Sequence, residues 1–553
     1  MPPSSKSKRK RSRLFVFLLL FSVALLLALP LLQEKSVKGD DWRYHLSRIQ
    51  NIADSLTDGH FPAKIHPTSL NGYGYGNGLF YPNLFLYIPA VLRACGMHLS
   101  ATYQIFLAMI LVGMVASTYL CANYMLKSRY AALCAAILFP LSQAVITNLY
   151  HRAAVGEALA AIFLPIVLCG LYNLLYERFS RPWILILAFT GLLYCHTISL
   201  VLSLLAAVAA VAVHAKKLFF SNRGEGLRLF DRLAAAAGLT LLLSVSYWLP
   251  MLEQFLTGDF NFNHAVVHME NKTIQFRELF ALSRPSVGVV LLLLAILCLI
   301  FFRRKRRRAL LCLGVGLSLS LLATGLFGFL WKGLSYTPLA VLQFPWRLLP
   351  YAALFLSLGV GQCLHDLSSS RRVRQQTLAV VYLAAALVAV NSLNAVAVNT
   401  SDIPANICNL AYSTGAGAEW LPYGTDMNRL NTPLAVAAPD GAVLDVTEKR
   451  GTTVRFESDG THGYFDVPLL YYAGYTAEIR TPDGTVQKLQ TSRSPDNNLT
   501  RVTNDGHLAG TVTVAYTGTA VQFAAYAVNL LTVAALIAYG LVRRRRSRPA
   551  GNG

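Results

Sequence analysis

Long apolar runs separated by short polar loops dominate this chain of 553 residues. Apolar runs of about 17–24 residues can cross a hydrocarbon core of about 30 Å as helices. The pattern predicts twelve membrane-spanning helices, at 14–32, 102–126, 131–149, 156–176, 183–197, 199–215, 233–252, 286–302, 309–328, 348–364, 377–397 and 522–542. The run at 183–215 is too long for one span and is divided near His196. The apolar segment 79–95 is expected to be interfacial or re-entrant.

Composition supports a membrane protein. Hydrophobic residues make up 54% of the chain and charged residues only 14%, whereas soluble domains carry about a quarter charged residues. This excludes a soluble enzyme. The nine cysteines are scattered without a CxxC pair, so neither a disulfide framework nor a zinc site is predicted.

The distribution of charge predicts the topology. The formal charge is +22, and 29 of the 49 lysines and arginines fall in short clusters between apolar runs. Such clusters are typical of cytoplasmic loops, and this interpretation is preferred to nucleic-acid binding. We therefore expect a multi-pass protein of the cell membrane with cytoplasmic basic tails at 1–13 and 543–553. The first helix is expected to be retained rather than cleaved as a signal sequence.

Between the tails, the pattern predicts a transmembrane domain at 14–397 with a first outer loop at 33–101. An irregular linker at 398–432 leads to a segment of alternating polar and apolar residues at 433–521. Alternation broken by Asp-Gly turns predicts an extracytoplasmic antiparallel β-sandwich. This domain, expected to bind or pack rather than catalyse, precedes the last helix at 522–542.

The first outer loop carries the most informative polar pattern. Asp41, His45 and Arg48 recur at i, i+4 and i+7, so a helix would bring them to one face. An acid there can act as a general base on an acceptor hydroxyl, and an arginine can hold a phosphate. The alternative is that Asp40 or Asp41 caps a helix starting at Trp42, with the other two side chains solvated.

The apolar residues of the same segment have helical spacing of their own. Leu46, Ile49, Ala53 and Leu56 form a narrow stripe. This predicts a helix lying on the outer membrane surface with its apolar side towards the lipid.

Other polar residues are predicted at the same membrane face. His151, Arg152 and Glu157 lie at the mouth of two spans, His196 at a tight outer turn, and Arg347 where a span begins. Ionisable groups at a membrane edge are usually functional. The alternatives are a helix-start acid for Glu157, a hydrogen-bonded structural histidine, and an interfacial arginine.

Two further segments are ambiguous. The Gly/Tyr-rich stretch 71–82, which contains Tyr73 and Tyr81, is consistent with a flexible lid over a sugar site or with a turn-rich loop. The loop 253–285 mixes histidines and acids at irregular spacing. No metal is assigned there, and the need for a divalent metal stays open.

These residues together resemble a known group. The chain is similar to the polytopic membrane glycosyltransferases of the GT-C superfamily, and more closely to the YfhO-like bacterial branch. The resemblance is carried, along most of the chain, by Asp41-x-x-x-His45-x-x-Arg48, Tyr73-Gly74, Phe80-Tyr81-Pro82, Asn148-Leu-Tyr-x-Arg152-x-x-x-Gly156-Glu157, Gln343-Phe-Pro-Trp-Arg347, Glu419-Trp-Leu-Pro422 and Pro468-x-x-Tyr471-Tyr-x-Gly474-Tyr475.

The resemblance implies a function. GT-C enzymes transfer a sugar with inversion from a polyprenyl-phosphate donor to an extracytoplasmic acceptor. The first-loop acid, here Asp41 with Asp40 as the alternative, would be the base. Glu157 would be the second outer acid, and Arg347 would contact the lipid phosphate. The acceptor would be a cell-wall polymer, a glycolipid or a protein.

Two other functions remain open. A transporter or flippase of lipid-linked sugar would show alternating access without chemistry, although the sequence shows no internal repeat. A non-catalytic cell-envelope assembly protein would depend on its β-domain rather than on Asp41.

Overall fold

The structure is a computed structural model that describes residues 5–281, 285–301, 307–368, 370–415 and 417–546. At 5–12, 410–411 and 545–546 it describes the backbone alone. The ends of both predicted basic tails therefore lie outside the described residues, as do most of the consecutive basic residues at 303–308.

The described residues are mostly helical. The α-helices are α1 Ser5–Ala28, α2 Trp42–Thr57, α3 Asn77–Phe80, α4 Tyr87–Ala94, α5 Leu99–Leu126, α6 Arg129–Leu138, α7 Gln143–Ile146, α8 Val155–Tyr176, α9 Trp183–Leu193, α10 Thr197–Ala215, α11 Arg223–Thr257, α12 Asn261–His264, α13 Val289–Phe301, α14 Arg307–Leu322, α15 Gly328–Leu334, α16 Leu349–Leu367, α17 Arg371–Ala397, α18 Leu410–Ser413 and α19 Ala520–Arg546.

Within the described ranges, eight helical segments are long and apolar enough to span a membrane, or nine if one bent pair is a single span. They are Arg13–Leu32, Leu99–Leu126, Val155–Tyr176, Thr197–Phe220, Arg223–Thr257, Pro345–Leu367, Arg371–Ala397 and Ala520–Arg544, with the bent pair at Arg129–Leu138 and Gln143–His151. Each overlaps a predicted span. The multi-pass membrane class is confirmed, whereas the count of twelve stays a prediction.

The three remaining predicted spans correspond to shorter helices. α9, α13 and α14 have 11, 13 and 16 residues in the described part of the chain. The helical segment Leu84–Ala94 has only 11 residues. At 1.5 Å per residue it extends about 16 Å, too short for one crossing, in keeping with the expectation that 79–95 is not a full span.

Local sequence explains two breaks between helices. The span predicted at 131–149 is bent by 46° between α6 and α7, where Pro140 removes a backbone donor and cannot continue the first helix. The predicted division near His196 is confirmed. The His196 Nδ1 accepts a hydrogen bond from the Ser199 amide at 3.2 Å and caps α10.

The chain divides into two compact units. The first comprises Met1–Trp42, Ser100–Ala236 and Val266–Ile403, and the second comprises Arg43–Leu99, Ala237–Ala265 and Pro404–Gly553.

Helix α16 forms the centre of the first unit. It packs against α6, α13 and α14, and most of its residues are buried. Gly361 allows the closest approach, because a Cβ there would lie 2.5 Å from the Ala131 carbonyl oxygen of α6. Small residues commonly allow such contacts between membrane helices.

A two-stranded sheet also belongs to this unit. Strand β1, Ser36–Val37, pairs antiparallel with β2, Thr400–Ser401. The Lys38 amide continues the pairing by donating to the Asn399 carbonyl at 2.9 Å. The segment that leads to Asp40 and Asp41 is therefore held by backbone hydrogen bonds.

The second unit contains the predicted β-domain. Its strands are β3 Ala435–Ala437, β4 Val443–Asp445, β5 Glu448–Arg450, β6 Thr453–Asp459, β7 Tyr464–Leu470, β8 Tyr475–Arg480, β9 Val486–Arg493, β10 Leu499–Thr503 and β11 Ala509–Tyr516. They are hydrogen-bonded in the order β4-β3-β7-β10-β9-β8-β11-β6-β5. The C-terminal β-sheet domain before the last helix is confirmed.

Strand β9 connects the two halves of this sheet. Its first residues pair with β8 and its last residues with β10. Alternate residues of the strands face one apolar core that includes Phe456, Phe465 and Val512, all fully buried. The alternation of polar and apolar residues in the sequence therefore predicted correctly which side chains face the core.

The Gly/Tyr-rich stretch belongs to the same core. Tyr73, Tyr75 and Phe80 are almost wholly buried, and the ring of Phe80 stacks on Trp420 with centroids 5.1 Å apart and planes 3° apart. The interpretation of this stretch as a flexible lid is therefore wrong. Its glycines permit close packing, since a Cβ on Gly76 would lie 2.5 Å from the Tyr472 ring.

Helix α2 also differs from the expectation. Its predicted start at Trp42 is correct, and Leu46 and Ile49 are fully buried. The polar side chains of Ser47 and Asn51 are buried as well. The helix is covered on several sides, so the prediction that its apolar side faces the lipid is wrong.

Candidate functional site

The first unit brings the Asp40–Asp41 pair against the turn after α7. The Asp40 amide donates to the His151 carbonyl at 3.1 Å, and the Asp41 amide donates to the Arg152 carbonyl at 2.8 Å. Gly39 makes this possible, because a Cβ there would lie 2.4 Å from the Tyr150 carbonyl oxygen. The backbone alone therefore fixes the position of Asp41 beside Arg152.

Glu157, in the first turn of α8, links two arginines. Its Oε2 accepts from the Arg152 Nη1 at 2.7 Å, and its Oε1 accepts from the Arg347 Nε at 2.9 Å. The glutamate is 8% exposed and so is Arg347. Buried charges require such pairing, and the two ion pairs hold both guanidinium groups in defined positions.

Each arginine has further neutral contacts. Arg152 Nη1 donates to Asn148 at 2.9 Å, and its guanidinium carbon lies 4.1 Å from the centre of the Trp346 ring. Arg347 Nη1 donates to the Leu342 carbonyl at 2.8 Å and to the Gln343 side chain at 2.9 Å. The segment before α16 thus provides both an arginine and an aromatic platform.

Both arginines have N–H groups left over that could bind an anion. The Nη2 groups of Arg152 and Arg347 donate to no residue in the described part of the chain. A guanidinium with free N–H groups can bind a phosphate through charge-assisted hydrogen bonds. Glu157 accepts from one edge of each arginine and leaves another edge free for a ligand.

The two aspartates have different surroundings. Asp40 is exposed, whereas Asp41 is half-buried. Burial raises the pKa of the Asp41 carboxyl above its ordinary value, and the positive charge of Arg152 opposes the rise. Among the described residues none donates a hydrogen bond to this carboxylate. Asp41 is thus a carboxylate with acceptor capacity, placed in the electrostatic range of two arginines.

The histidines of this unit are also located. His151 is half-buried, and its Nε2 is buried without a partner in the part of the chain described. His196 is buried at the start of α10, where it caps the helix. The structural interpretation of His196 therefore accounts for its Nδ1.

A separate polar cluster in the second unit contains His45 and Arg48. Arg48 is only 1% exposed. Its Nη2 donates to the Pro82 carbonyl at 2.9 Å and to the Asn83 side chain at 2.8 Å, and its Nη1 lies 3.4 Å from the His45 Nδ1. The Tyr81 ring lies 4.0 Å below the guanidinium carbon.

Burial affects the charges of this cluster. It lowers the pKa of the Arg48 guanidinium from its usual value. It also lowers the pKa of His66 to about 3, with the charge of Arg48 adding to the effect. Arg48 is thus a buried cation whose partners in the Pro82–Asn83 segment are neutral. Tyr73 contributes nothing to the cluster, since its hydroxyl lies 2.9 Å from that of Thr432.

Sequence reasoning did not assign three contacting residues to the site. Asn148, Gln343 and Trp346 lie in the motifs quoted above, but their chemistry alone gave no signal. Proximity to Arg152 and Arg347 in sequence could have identified them.

No group of three or more His, Cys, Asp or Glu side chains suited to a metal occurs within the described ranges.

These features define a multi-pass membrane protein with a buried ion-pair cluster and a C-terminal β-sheet domain. A family model described as 6-pyruvoyl-tetrahydropterin synthase related domain, membrane protein, matches residues 79–399. The match covers more than half of the chain, and the chain belongs to this family. Membership is compatible with the GT-C resemblance, while the YfhO-like branch stays a prediction.

Two individual proteins are similar to this chain. A Lactococcus lactis subsp. cremoris (strain MG1363) protein, described as uncharacterized, is 23% identical over 250 residues, which are 44% of this chain and 40% of that protein. The alignment thus spans less than half of the relative.

The archaeal oligosaccharyltransferase AglB from Archaeoglobus fulgidus, solved with an inhibitory peptide and a dolichol-phosphate, is 13% identical. The match covers 75% of this chain and 62% of that one, with a TM-score of 0.41. This score does not establish a common fold.

Proposed function

We propose that this protein is a membrane glycosyltransferase that moves a sugar from a polyprenyl-phosphate donor to an extracytoplasmic acceptor. The observation that carries the proposal is the cluster of Asp41, Arg152, Glu157 and Arg347. It combines a carboxylate with acceptor capacity and two fixed guanidinium groups with free N–H groups. A base and an anion site together are what sugar transfer from a lipid phosphate requires.

The proposed reaction is a single inverting displacement. Asp41 accepts the proton of the acceptor hydroxyl while the oxygen of that hydroxyl bonds to the anomeric carbon. The bond between that carbon and the phosphate oxygen breaks, and polyprenyl phosphate leaves. General base catalysis is most effective when the pKa of the base approaches the working pH, so the raised pKa of Asp41 favours this role.

The two arginines would stabilise the departing phosphate. Negative charge develops on the leaving group, and preorganised donors aimed at such charge commonly supply a large part of catalysis. Arg152 and Arg347 are proposed to donate through their free Nη2 groups. Glu157 is proposed as a positioning residue, because both of its oxygens already accept from the arginines.

Other predicted site residues receive weaker roles. Asp40 is the alternative base but is exposed. His151 and His196 are proposed to line the site. His45, Arg48, Tyr73 and Tyr81 are proposed to support the fold of the second unit, and a contact of theirs with substrate stays a prediction.

The setting of the reaction belongs to the proposal as well. The basic loops are taken to face the cytoplasm with both termini, which puts the site at the outer leaflet. The acceptor class would be a glycan, lipid or protein of the cell envelope. A divalent metal is left unassigned.

The test is cleavage of a radiolabelled polyprenyl-phosphate sugar by the full chain in proteoliposomes, with and without Mg²⁺ or Mn²⁺. Label is released whether the sugar is transferred to a cell-envelope acceptor or to water. The readout therefore does not depend on knowing the acceptor. Asp41→Asn is compared with Asp40→Asn, a matched change at the adjacent exposed carboxylate. We expect Asp41→Asn to lower the rate by about 10²–10⁴-fold and Asp40→Asn to leave it nearly unchanged.

Two results would contradict the proposal. Full activity in Asp41→Asn would remove this residue from the mechanism, and loss in Asp40→Asn alone would make Asp40 the base. Donor lipid that crosses the bilayer intact, without cleavage in the wild type, would instead favour the transporter.

A further inference from the structure

A cavity of about 220 Å³ lies in the second unit, away in sequence from the residues of the proposed reaction. Its walls come from residues 59–67 after α2, from Gly451 and Thr452 before β6, and from the first turns of α19. Helix α19 is one of the candidate membrane spans. The cavity therefore opens where this span begins.

Lys64 supplies the positive charge of the cavity. Its ammonium lies 3.4 Å from the Ser246 carbonyl oxygen and 5.6 Å from the centre of the Tyr526 ring. No carboxylate of a described residue forms an ion pair with it, and the described lining contains neither aspartate nor glutamate. Burial lowers the pKa of Lys64 to about 8, so the group remains mostly charged at neutral pH without a counter-ion.

Polar atoms without partners surround this charge. His60 Nδ1, Thr452 Oγ1 and the Tyr526 hydroxyl are buried, and within the described part of the chain no group hydrogen-bonds to them. All three residues line the cavity, and Thr452 is only 6% exposed. Buried polar atoms are normally satisfied, so three orphaned groups beside an unpaired ammonium indicate a missing polar ligand.

The rim of the cavity is apolar. Phe61 and Phe523 line it and are 74% and 60% exposed. The Phe61 ring contacts Tyr87 of α4 with centroids 5.4 Å apart. Helix α4 in turn exposes Ile88 and Val91. A cationic interior beside an exposed apolar rim fits an amphiphilic anion better than a small soluble ion.

We propose that this cavity binds the phosphate headgroup of an anionic membrane lipid, with Lys64 as the counter-ion and the acyl chains against Phe61 and Phe523. His60 and Thr452 would complete the hydrogen bonding of the phosphate. Basic pockets beside membrane helices are known to bind the headgroups of anionic lipids. The site shares no residue with the proposed transfer reaction and does not depend on it.

The test is ligand binding to the purified full chain in phosphatidylcholine nanodiscs. Short-chain phosphatidylglycerol, phosphatidylcholine with the same chains, and inorganic phosphate are added separately, and the dissociation constant is measured for each. Lys64→Met is compared with Lys488→Met, a matched change at an exposed lysine of β9. Thr452→Val provides a second, uncharged change in the cavity.

We expect phosphatidylglycerol to bind the wild type and Lys488→Met equally and Lys64→Met about tenfold or more weakly. Thr452→Val should weaken binding by a smaller factor. Lys64→Met should fold at least as well as the wild type, because it removes an unpaired, half-buried charge. Equal affinity in Lys64→Met and the wild type would overturn the site. Inorganic phosphate binding as tightly as phosphatidylglycerol would overturn the assignment to a lipid.

Discussion

Two arginine clusters in this protein differ in the partners of their charges. Arg152 and Arg347 are both paired with the carboxylate of Glu157, and each keeps an Nη2 group free among the described residues. Arg48 instead donates its Nη2 to the Pro82 carbonyl and the neutral Asn83 side chain. The first arrangement fixes guanidinium groups and leaves donors for a ligand, whereas the second uses them to hold a chain segment.

The difference shows that residue type is a poor guide to role at buried positions. All three arginines are predicted near the outer membrane face, and all three suit a phosphate on chemistry alone. Burial and hydrogen-bond partners distinguish the roles of the three arginines. Arg48, whose Nη2 is held by Pro82 and Asn83 of its own unit, stabilises structure. A cation anchored by a carboxylate with spare donors is better suited to bind an anion.

The largest expected effect is on Arg48. Arg48→Gln removes charged hydrogen bonds to Pro82 and Asn83, so we expect the free energy of unfolding to fall by about 3 kcal/mol. Arg93→Gln is the matched control, because this half-buried arginine lies in the same unit and binds Gln50 and the Met97 carbonyl. Thermal unfolding in detergent measures both. An unfolding temperature in Arg48→Gln as high as in the control would contradict a scaffolding role.

Glu157→Gln gives the next effect. The amide keeps the shape but loses the charge that anchors Arg152 and Arg347, so both guanidinium groups become less fixed and more attractive to phosphate. We expect the kcat of transfer to fall about tenfold while the KM for the donor stays the same or decreases. Glu478→Gln, an exposed change on β8, is the control. A higher donor KM with unchanged kcat would mean that Glu157 binds substrate directly.

The smallest effect concerns pH. Asp41 must be deprotonated to accept a proton, so activity is present above its pKa and lost as the pH falls through it. Arg152 lowers this pKa against the effect of burial, and Arg152→Gln should therefore move the acid limb of kcat/KM to higher pH. Arg480→Gln, exposed on β8, should leave the limb unmoved. An acid limb that moves to lower pH in Arg152→Gln would contradict the assignment of Asp41 as the base.

Much of the fold follows from local pattern. The start of α2, the division at His196 and the strands from β6 to β11 were predictable because spacing of three to four residues, run length and period-two alternation report local geometry. The bend at Pro140 was missed, since the apolar pattern continues through it. The burial of the polar side of α2 was not predicted either. An apolar stripe predicts that one side of a helix is buried, but it does not indicate whether the polar side is buried as well.

The site was predictable in its members but not in its pairing. Asp41, Arg152, Glu157 and Arg347 were each selected as membrane-edge ionisable groups. The hydrogen bond between Glu157 and Arg347 joins residues 190 positions apart. Sequence spacing predicts contacts only between residues that are close along the chain, so it could not predict this pair. The contrast between Asp40 and Asp41 likewise depends on burial, which the double aspartate in the sequence does not reveal.

The most direct test of the contrast between the clusters is binding of polyprenyl phosphate to Arg347→Gln and Arg48→Gln, measured on folded protein in nanodiscs together with the unfolding temperature. The account predicts that folded Arg347→Gln binds about tenfold or more weakly than the wild type. It predicts that folded Arg48→Gln binds like the wild type but unfolds at a lower temperature. The opposite pattern, with binding lost in Arg48→Gln and retained in Arg347→Gln, would contradict it.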